Sequence, residues 1–184
     1  MKSRRSRLLC LSITACSLFI LLGGCGYTTN SILPEDIKTI QVEIFRNNID
    51  ITKEVSAKDK YEVYRPDLEV DLRDAMVERI FLDGHLKLSS EGSADAILEG
   101  EVMQYRKDPL RYQDEIVREY RISLVCDFRL KSAKDSKILL EEEGLTGDAT
   151  YFTTGTLAKS ETEALKTAAR DLARRIVNRI VEDW

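Results

Sequence analysis

The chain has 184 residues, with 28 Lys and Arg against 32 Asp and Glu, a formal net charge of −4 at neutral pH. That acidic balance excludes a general binder of nucleic acid or anionic surfaces, because long-range attraction to phosphate needs the opposite sign, and any anion site must be local. One histidine and four cysteines leave a transition-metal centre without its usual companions, so no metal or cofactor is expected.

Lys2, Arg4, Arg5 and Arg7 precede an uncharged apolar run from Leu8 to Leu22, the pattern of an export signal. Gly23 and Gly24 then stand before Cys25. Small residues ahead of a cysteine resemble the lipobox of bacterial lipoproteins, whose thiol is alkylated with diacylglycerol and becomes the mature N-terminus. The alternative is an uncleaved membrane helix, since the uncharged stretch continues through Thr29. Ser12, Thr14, Ser17 and the glycines dilute that stretch and favour the lipoprotein. Residues 1–24 are thus expected to be a signal peptide, Cys25 the lipidation site, 25–32 a lipidated tether and 33–184 a single domain. Removing the four basic residues leaves 24 cations against 32 carboxylates, a net charge of −8. Cys10 and Cys16 leave with the signal and Cys25 is acylated. Cys126 then stands alone, so the domain must rely on its core rather than on a disulfide.

From Leu33 to Phe45 the chain alternates: Ile40, Val42 and Ile44 share one face and Thr39, Gln41 and Glu43 the other, as in a half-buried strand. Arg46 to Arg65 is polar and without period, a long loop. Pro66 and Asp67 open a helix, because proline suits its first turn and a carboxylate its positive end. Leu68, Leu72, Met76 and Ile80 form its apolar stripe, Ala75 and Phe81 widen it, and Gly84 ends it. His85, beside that terminus, reads as structural or solvated.

Ala96 to Tyr105 and Ile116 to Leu130 read as an antiparallel hairpin across the polar turn Arg106 to Arg111. In its second strand Tyr120, Ile122, Leu124, Cys126, Phe128 and Leu130 fall on one face, which makes Cys126 a buried, inert thiol. Lys131 to Lys137 forms the next turn. Another strand begins at Ile138 to Glu142, and its continuation to Phe152 is interrupted by glycines and threonines. Ser160 and Glu163 make a capping box for a C-terminal helix with the stripe Ala168, Leu172, Ile176, Ile180 and Trp184, flanked by Leu165 and Ala169. Arg170, Arg174, Arg175 and Arg179 occupy its other faces and read as solvated. The order β-α-β-β-β-α predicts an α+β two-layer sandwich, with two helices packed on one face of a mixed four-stranded sheet.

No residue pair makes a convincing catalytic group. There is no glycine-rich phosphate loop, ligand cluster or nucleophile elbow, and Glu141-Glu142-Glu143 reads as a solvated approach to a turn rather than as acid and base. A binding or assembly role is expected, not an enzyme.

Cys25-Gly26-Tyr27, the stretch from Leu33-Pro34 through Ile37-Lys38-Thr39-Ile40, Val42 and Ile44-Phe45 to Asn47, Ala94-Asp95-Ala96-Ile97-Leu98-Glu99-Gly100-Glu101-Val102, and Leu172-Ala173-Arg174-Arg175-Ile176-Val177 together resemble the lipopolysaccharide-assembly lipoprotein family, LptE. Asn47-Asn48-Ile49 departs from the Asn-x-Thr arrangement that the family often has, and the loop to Arg65 looks longer than usual. The resemblance implies an outer-membrane lipoprotein, held by N-terminal acyl chains and facing the periplasm or the lumen of its partner. That partner is the β-barrel translocon LptD, which the family plugs and helps to assemble, and the cargo is lipopolysaccharide. Gly26 after the lipidated cysteine resembles outer-membrane sorting. Lipid A carries phosphates, and the basic hairpin tips, Arg106, Lys107 and Arg111 at one and Lys131, Lys134 and Lys137 at the other, are the candidate lipopolysaccharide-binding residues. A different class of function is a lipoprotein that regulates a periplasmic cell-wall synthase, and a third is a periplasmic hydrolase that enlists His85.

Overall fold

Period-two stretches become one mixed sheet in the computed structural model, which describes residues 37–49 and 67–182. The signal segment, Cys25, the tether, the run from Asp50 to Pro66, and Trp184 lie outside the described residues. In chain order the elements are β1 (Thr39–Val42), β2 (Arg46–Asn47), α1 (Leu68–Asp83), β3 (Lys87–Leu88), β4 (Ala96–Gln113), β5 (Ile116–Ser132), β6 (Ile138–Phe152) and α2 (Glu161–Glu182). The sheet therefore has six strands rather than four. It runs β3-β1-β4-β5-β6, with β2 also on β4. The two additional strands are two residues long, too short to show any period. β1 pairs in parallel with β3 and β4, whereas β4, β5 and β6 form an antiparallel meander.

The first strand is shorter than its alternation suggests, and its register breaks. After Val42 the Glu43 amide bonds the Leu98 carbonyl at 3.0 Å, and the chain then re-pairs with β4 through Arg46 and Asn47. The break turns Ile44 outward, 61% exposed, and buries Phe45 at 1% in its place. The Phe45 ring lies over Gly100, where a Cβ would come within 2.1 Å of it. Arg46 to Asn47, expected as loop, is thus a second piece of the same edge.

The turn expected at Arg106 to Arg111 is strand. Pro109 sits beside a bulge, where its missing N–H is tolerated, and the chain reverses at Asp114 and Glu115, whose φ angles of 50° and 63° suit a two-residue hairpin. β6 likewise runs unbroken from Ile138 to Phe152, and Gly144 at φ 70° absorbs its bulge. Glu141, Glu142 and Glu143 therefore lie within a strand.

Both helices cover one side of the sheet, the side of Ile40, Leu98, Val102, Leu124, Cys126, Phe128 and Leu130, all at most 1% exposed. α1 buries Leu68, Leu72, Ala75, Met76 and Ile80. Phe81 does not widen that stripe: one residue past Ile80 it has rotated about 100° off the core and is 77% exposed. Asp67 caps α1 through its carbonyl, at φ 63° and without a side-chain cap bond, while Glu69 and Asp71 supply the first-turn carboxylates. Gly84 closes the helix at φ 80°. α2 begins with Ser160 Oγ accepting from the Glu163 amide at 3.1 Å, the first half of the expected capping box; no bond of the described residues returns from the Ser160 amide to the Glu163 carboxylate. Its arginines are not simply solvated: they reach across to other elements, Arg170 to Glu78 of α1 and Arg179 to Glu142 of β6.

Candidate functional site

Strand alternation sorts the side chains of β4, β5 and β6 between the helix-covered face and a second face that no described element covers. Arg106 to Arg111 pairs with Ser123 to Glu119 in the first half of β5, whereas Lys131 lies at its far end, eight residues or about 26 Å from Ser123 at 3.3 Å per residue, so the two basic stretches singled out in the sequence stand well apart along the sheet. They cannot form one site.

Lys107 lies on the covered face. Its Nζ meets Glu161 Oε2 and stands 4.5 Å from the Tyr120 ring centre. Glu161, in the first turn of α2, also accepts from Tyr105 Oη at 2.8 Å and from Tyr151 Oη at 3.4 Å, and Tyr120 stacks on Tyr151 with centroids 5.7 Å apart. Lys107 thus clamps the start of α2 to the sheet.

Arg106 and Arg111 are on the uncovered face, joined by Arg121, which the sequence reading did not select. Arg121 sits opposite Asp108 and diagonally from Arg106, within reach of a shared ligand. Arg106 Nε is buried without a hydrogen-bond partner, and no ion pair of the described residues includes Arg106 or Arg121. Arg111 lies 3.5 Å from Glu119 and packs over Phe152. A cross-strand register is the only signal that unites these three, and it is invisible until the hairpin turn is correctly placed.

Farther along the same face lies a groove of about 150 Å³, whose lining includes Glu99, Glu101, Asp127 and Glu141 to Glu143 together with Arg46, Arg129 and Lys131. Lys131 Nζ is 2.5 Å from Glu99, Arg129 Nε 2.5 Å from Glu141, and Arg46 3.6 Å from Glu101. Six carboxylates against three cations make the groove acidic, which repels anions from it. Lys134 and Lys137 stand exposed on the β5–β6 turn.

The remaining chemistry is structural. Cys126 is fully buried, and desolvation pushes its thiol up to about 12. His85 is exposed, with Nδ1 2.7 Å from Asp83. Asp95 accepts from the amides of Lys38 and Thr39 and from Thr39 Oγ1, bonds that hold its carboxyl below the usual range and tie β1 to the start of β4. No group of three potential metal ligands occurs among the described residues.

A family model described as lipopolysaccharide-assembly, LptE, matches residues 37–180. Comparison with curated proteins returns no match. Among solved structures, the chain is similar to the PelC L103M dodecamer protein of Paraburkholderia phytofirmans, at 13% identity and a TM-score of 0.47 over 79% of this chain and 90% of that one. It is similar also to a minor lipoprotein of Acinetobacter baumannii, at 17% identity and 0.46 over 78% and 92%, and to lipoprotein B of Nitrosomonas europaea, at 17% and 0.43 over 81% and 84%.

Proposed function

The chain belongs to the lipopolysaccharide-assembly family LptE, and from that premise we propose that it is an outer-membrane lipoprotein, anchored by acyl chains on Cys25, that works with an LptD-like β-barrel as plug and assembly factor in lipopolysaccharide transport. The observation that carries the reading is the family match over residues 37–180. The physical features agree with it. A barrel lumen is polar, and the uncovered sheet face meets a polar wall with side chains largely satisfied by one another. The work required is binding and shape, not catalysis.

Within that role, the phosphates of lipid A go to Arg106, Arg111 and Arg121. A planar guanidinium accepts phosphate through two parallel hydrogen bonds, and these arginines share one face of the hairpin, away from the acidic groove. Lys107 and Lys131 are already held by Glu161 and Glu99.

The test is extraction of the membrane in mild detergent, followed by identification of what co-purifies. A large outer-membrane barrel supports the proposal, and a peptidoglycan synthase in its place replaces it with a regulatory role. Fatty-acid labelling should be lost in Cys25→Ala. Reversing Arg106, Arg111 and Arg121 to Glu should weaken lipopolysaccharide binding by about 1–3 kcal/mol at fixed ionic strength and leave the barrel bound.

A further inference from the structure

Parallel pairing brings the starts of β1, β3 and β4 to one end of the sheet, and the β5–β6 turn lies at the same end. Backbone hydrogen bonds run across it: the Lys87 amide to the Lys38 carbonyl at 2.9 Å, Asp95 to Thr39 at 3.2 Å, Ala133 to Asp95 at 2.8 Å and Ser132 to Lys137 at 2.9 Å. Lys38, Lys87, Lys134 and Lys137 therefore stand along one row of strand ends, about 20 Å wide at 4.8 Å per strand. All four are exposed, and no ion pair of the described residues includes any of them. The lysines and arginines of the helices and the groove are, with few exceptions, engaged by carboxylates.

We infer that this end of the sheet rests on an anionic phospholipid surface, that of the leaflet which holds the acyl chains. The inference rests on the lipid anchor proposed above. The chain enters the described fold at Ile37, twelve residues on from Cys25, and a segment of that length spans at most about 43 Å. Such a tether keeps the domain near the bilayer without deciding which part of it touches. The lysine row decides it.

Among the described residues, the carboxylates of this end are Glu91, Asp95 and Asp135, together with Asp83, which ends α1 four residues before Lys87 and is bonded to Arg79 and His85. Asp95 accepts from the Lys38 and Thr39 amides and the Thr39 hydroxyl, and Asp135 from Ser132 and the Lys137 amide; both stay ionised and feel the charge of Lys38 and Lys137 respectively, so they offset the ammonium groups in part without forming an ion pair. Glu99, the first groove carboxylate, is four residues up β4, about 13 Å away, farther than the screening length of about 8 Å at physiological salt. It is also paired with Lys131. Four ammonium groups against Glu91, Asp95 and Asp135 leave this end a small positive excess in an otherwise acidic protein, and the ammonium groups, free of ion pairs, are the ones that can reach a lipid headgroup. Each basic side chain at an anionic surface adds a small increment, and the tether makes the second contact intramolecular, so weak increments suffice. Ile138, 47% exposed beside Lys137, adds an apolar contact.

The acylated full-length protein is placed on phosphatidylcholine vesicles with and without phosphatidylglycerol, both containing a headgroup-attached quencher. A fluorophore is attached through Ser136→Cys on the β5–β6 turn, or through Asp114→Cys at the far hairpin tip. Acylation blocks Cys25 and burial protects Cys126, so only the introduced thiol reacts. With phosphatidylglycerol, quenching at position 136 should exceed that at position 114 several-fold. The difference should vanish in pure phosphatidylcholine, in high salt, and on changing Lys38, Lys87, Lys134 and Lys137 to Glu. Equal quenching at the two positions in phosphatidylglycerol vesicles that retain the protein overturns the inference and leaves the anchor standing. The salt and lipid comparisons decide this on unreversed lysines, even if the quadruple variant misfolds. Protein that leaves both vesicle types and carries no fatty acid overturns the anchor, and the inference with it.

Discussion

Gly147→Ala tests how closely α2 lies on the sheet. A Cβ at this position would stand 2.5 Å from Leu172 Cβ, 2.5 Å from the Leu172 amide nitrogen and 2.7 Å from the Ala168 carbonyl oxygen. Carbon atoms rest at about 3.5–4.0 Å, so the helix must retreat by about 1 Å. Two of the three clashing atoms are backbone, so no change of rotamer relieves the contact. Retreat loosens Ala168, Ala169, Leu172, Ala173 and Ile176, each at most 1% exposed, and stretches the 3.1 Å bond from the Asp148 amide to Asp171. Overpacking costs about 1–3 kcal/mol and the weakened bond about 1 kcal/mol. The expected loss is about 3 kcal/mol, a large share of the 5–15 kcal/mol that holds a typical domain. In urea denaturation followed by circular dichroism, with m of about 2 kcal/mol/M, the midpoint should fall by about 1.5 M. Gly144→Ala is the control: φ is 70° and nothing lies within 4 Å, so it costs only left-handed strain of about 1 kcal/mol. A midpoint for Gly147→Ala no lower than that of Gly144→Ala refutes the close approach.

Cys126 supplies a pH signature. Its folded thiol titrates at about 12 against an ordinary 9.0, so between those values the unfolded chain has lost a proton that the folded chain keeps. Stability should fall with rising pH there, by about 1.4 kcal/mol per unit, a slope that Cys126→Ser should lack in urea titrations at pH 9 and 10.5. Cys126→Asp should cost several kcal/mol by burying an unpaired carboxylate, seen as a collapsed thermal transition, whereas Cys126→Ser is milder. Glu161→Ala removes the acceptor shared by Tyr105 Oη, Tyr151 Oη and Lys107 Nζ and should destabilise by about 1–2 kcal/mol, with amide exchange rising first in the opening turns of α2.

What was legible in the sequence followed strong periods. Leu124, Cys126, Phe128 and Leu130 announced β5, and Leu172, Ile176 and Ile180 announced α2, because burial on one face constrains every second or every fourth position. Elements that owe their existence to neighbours were not legible. Arg46–Asn47 and Lys87–Leu88 are strands only because β4 and β1 offer partners. The stretch from Arg106 to Arg111 looked like a turn because it is polar and contains Pro109, yet pairing with β5 overrides that local preference. The site followed suit: Arg121 joins Arg106 only across the strands, and Lys38 joins Lys134 only across the sheet.

The acidic groove should act on ligand charge even where it touches nothing. Surface ion pairs such as Arg46–Glu101 contribute at most about 1 kcal/mol each, so stability is a weak reason for six carboxylates to gather there. Their field reaches the arginines of the hairpin: Glu101 and Arg106 are five positions apart on β4, about 16 Å. At that distance two unit charges interact by about 0.26 kcal/mol in water before screening. Changing Glu101→Gln, Asp127→Asn and Glu143→Gln together removes three repulsive charges, while Asn at 127 keeps an oxygen for the Gly144 amide, now bonded at 2.7 Å. For a ligand with about two phosphate charges, the gain is about 1 kcal/mol at 0.01 M salt, where the screening length is about 30 Å, and about 0.2 kcal/mol at 0.15 M, where it is about 8 Å. Lipopolysaccharide affinity of the triple variant should therefore rise about five-fold at low salt and scarcely change at physiological salt. A gain that is the same at both salt concentrations, or a loss at either, would place the phosphates in the groove itself and not on Arg106, Arg111 and Arg121.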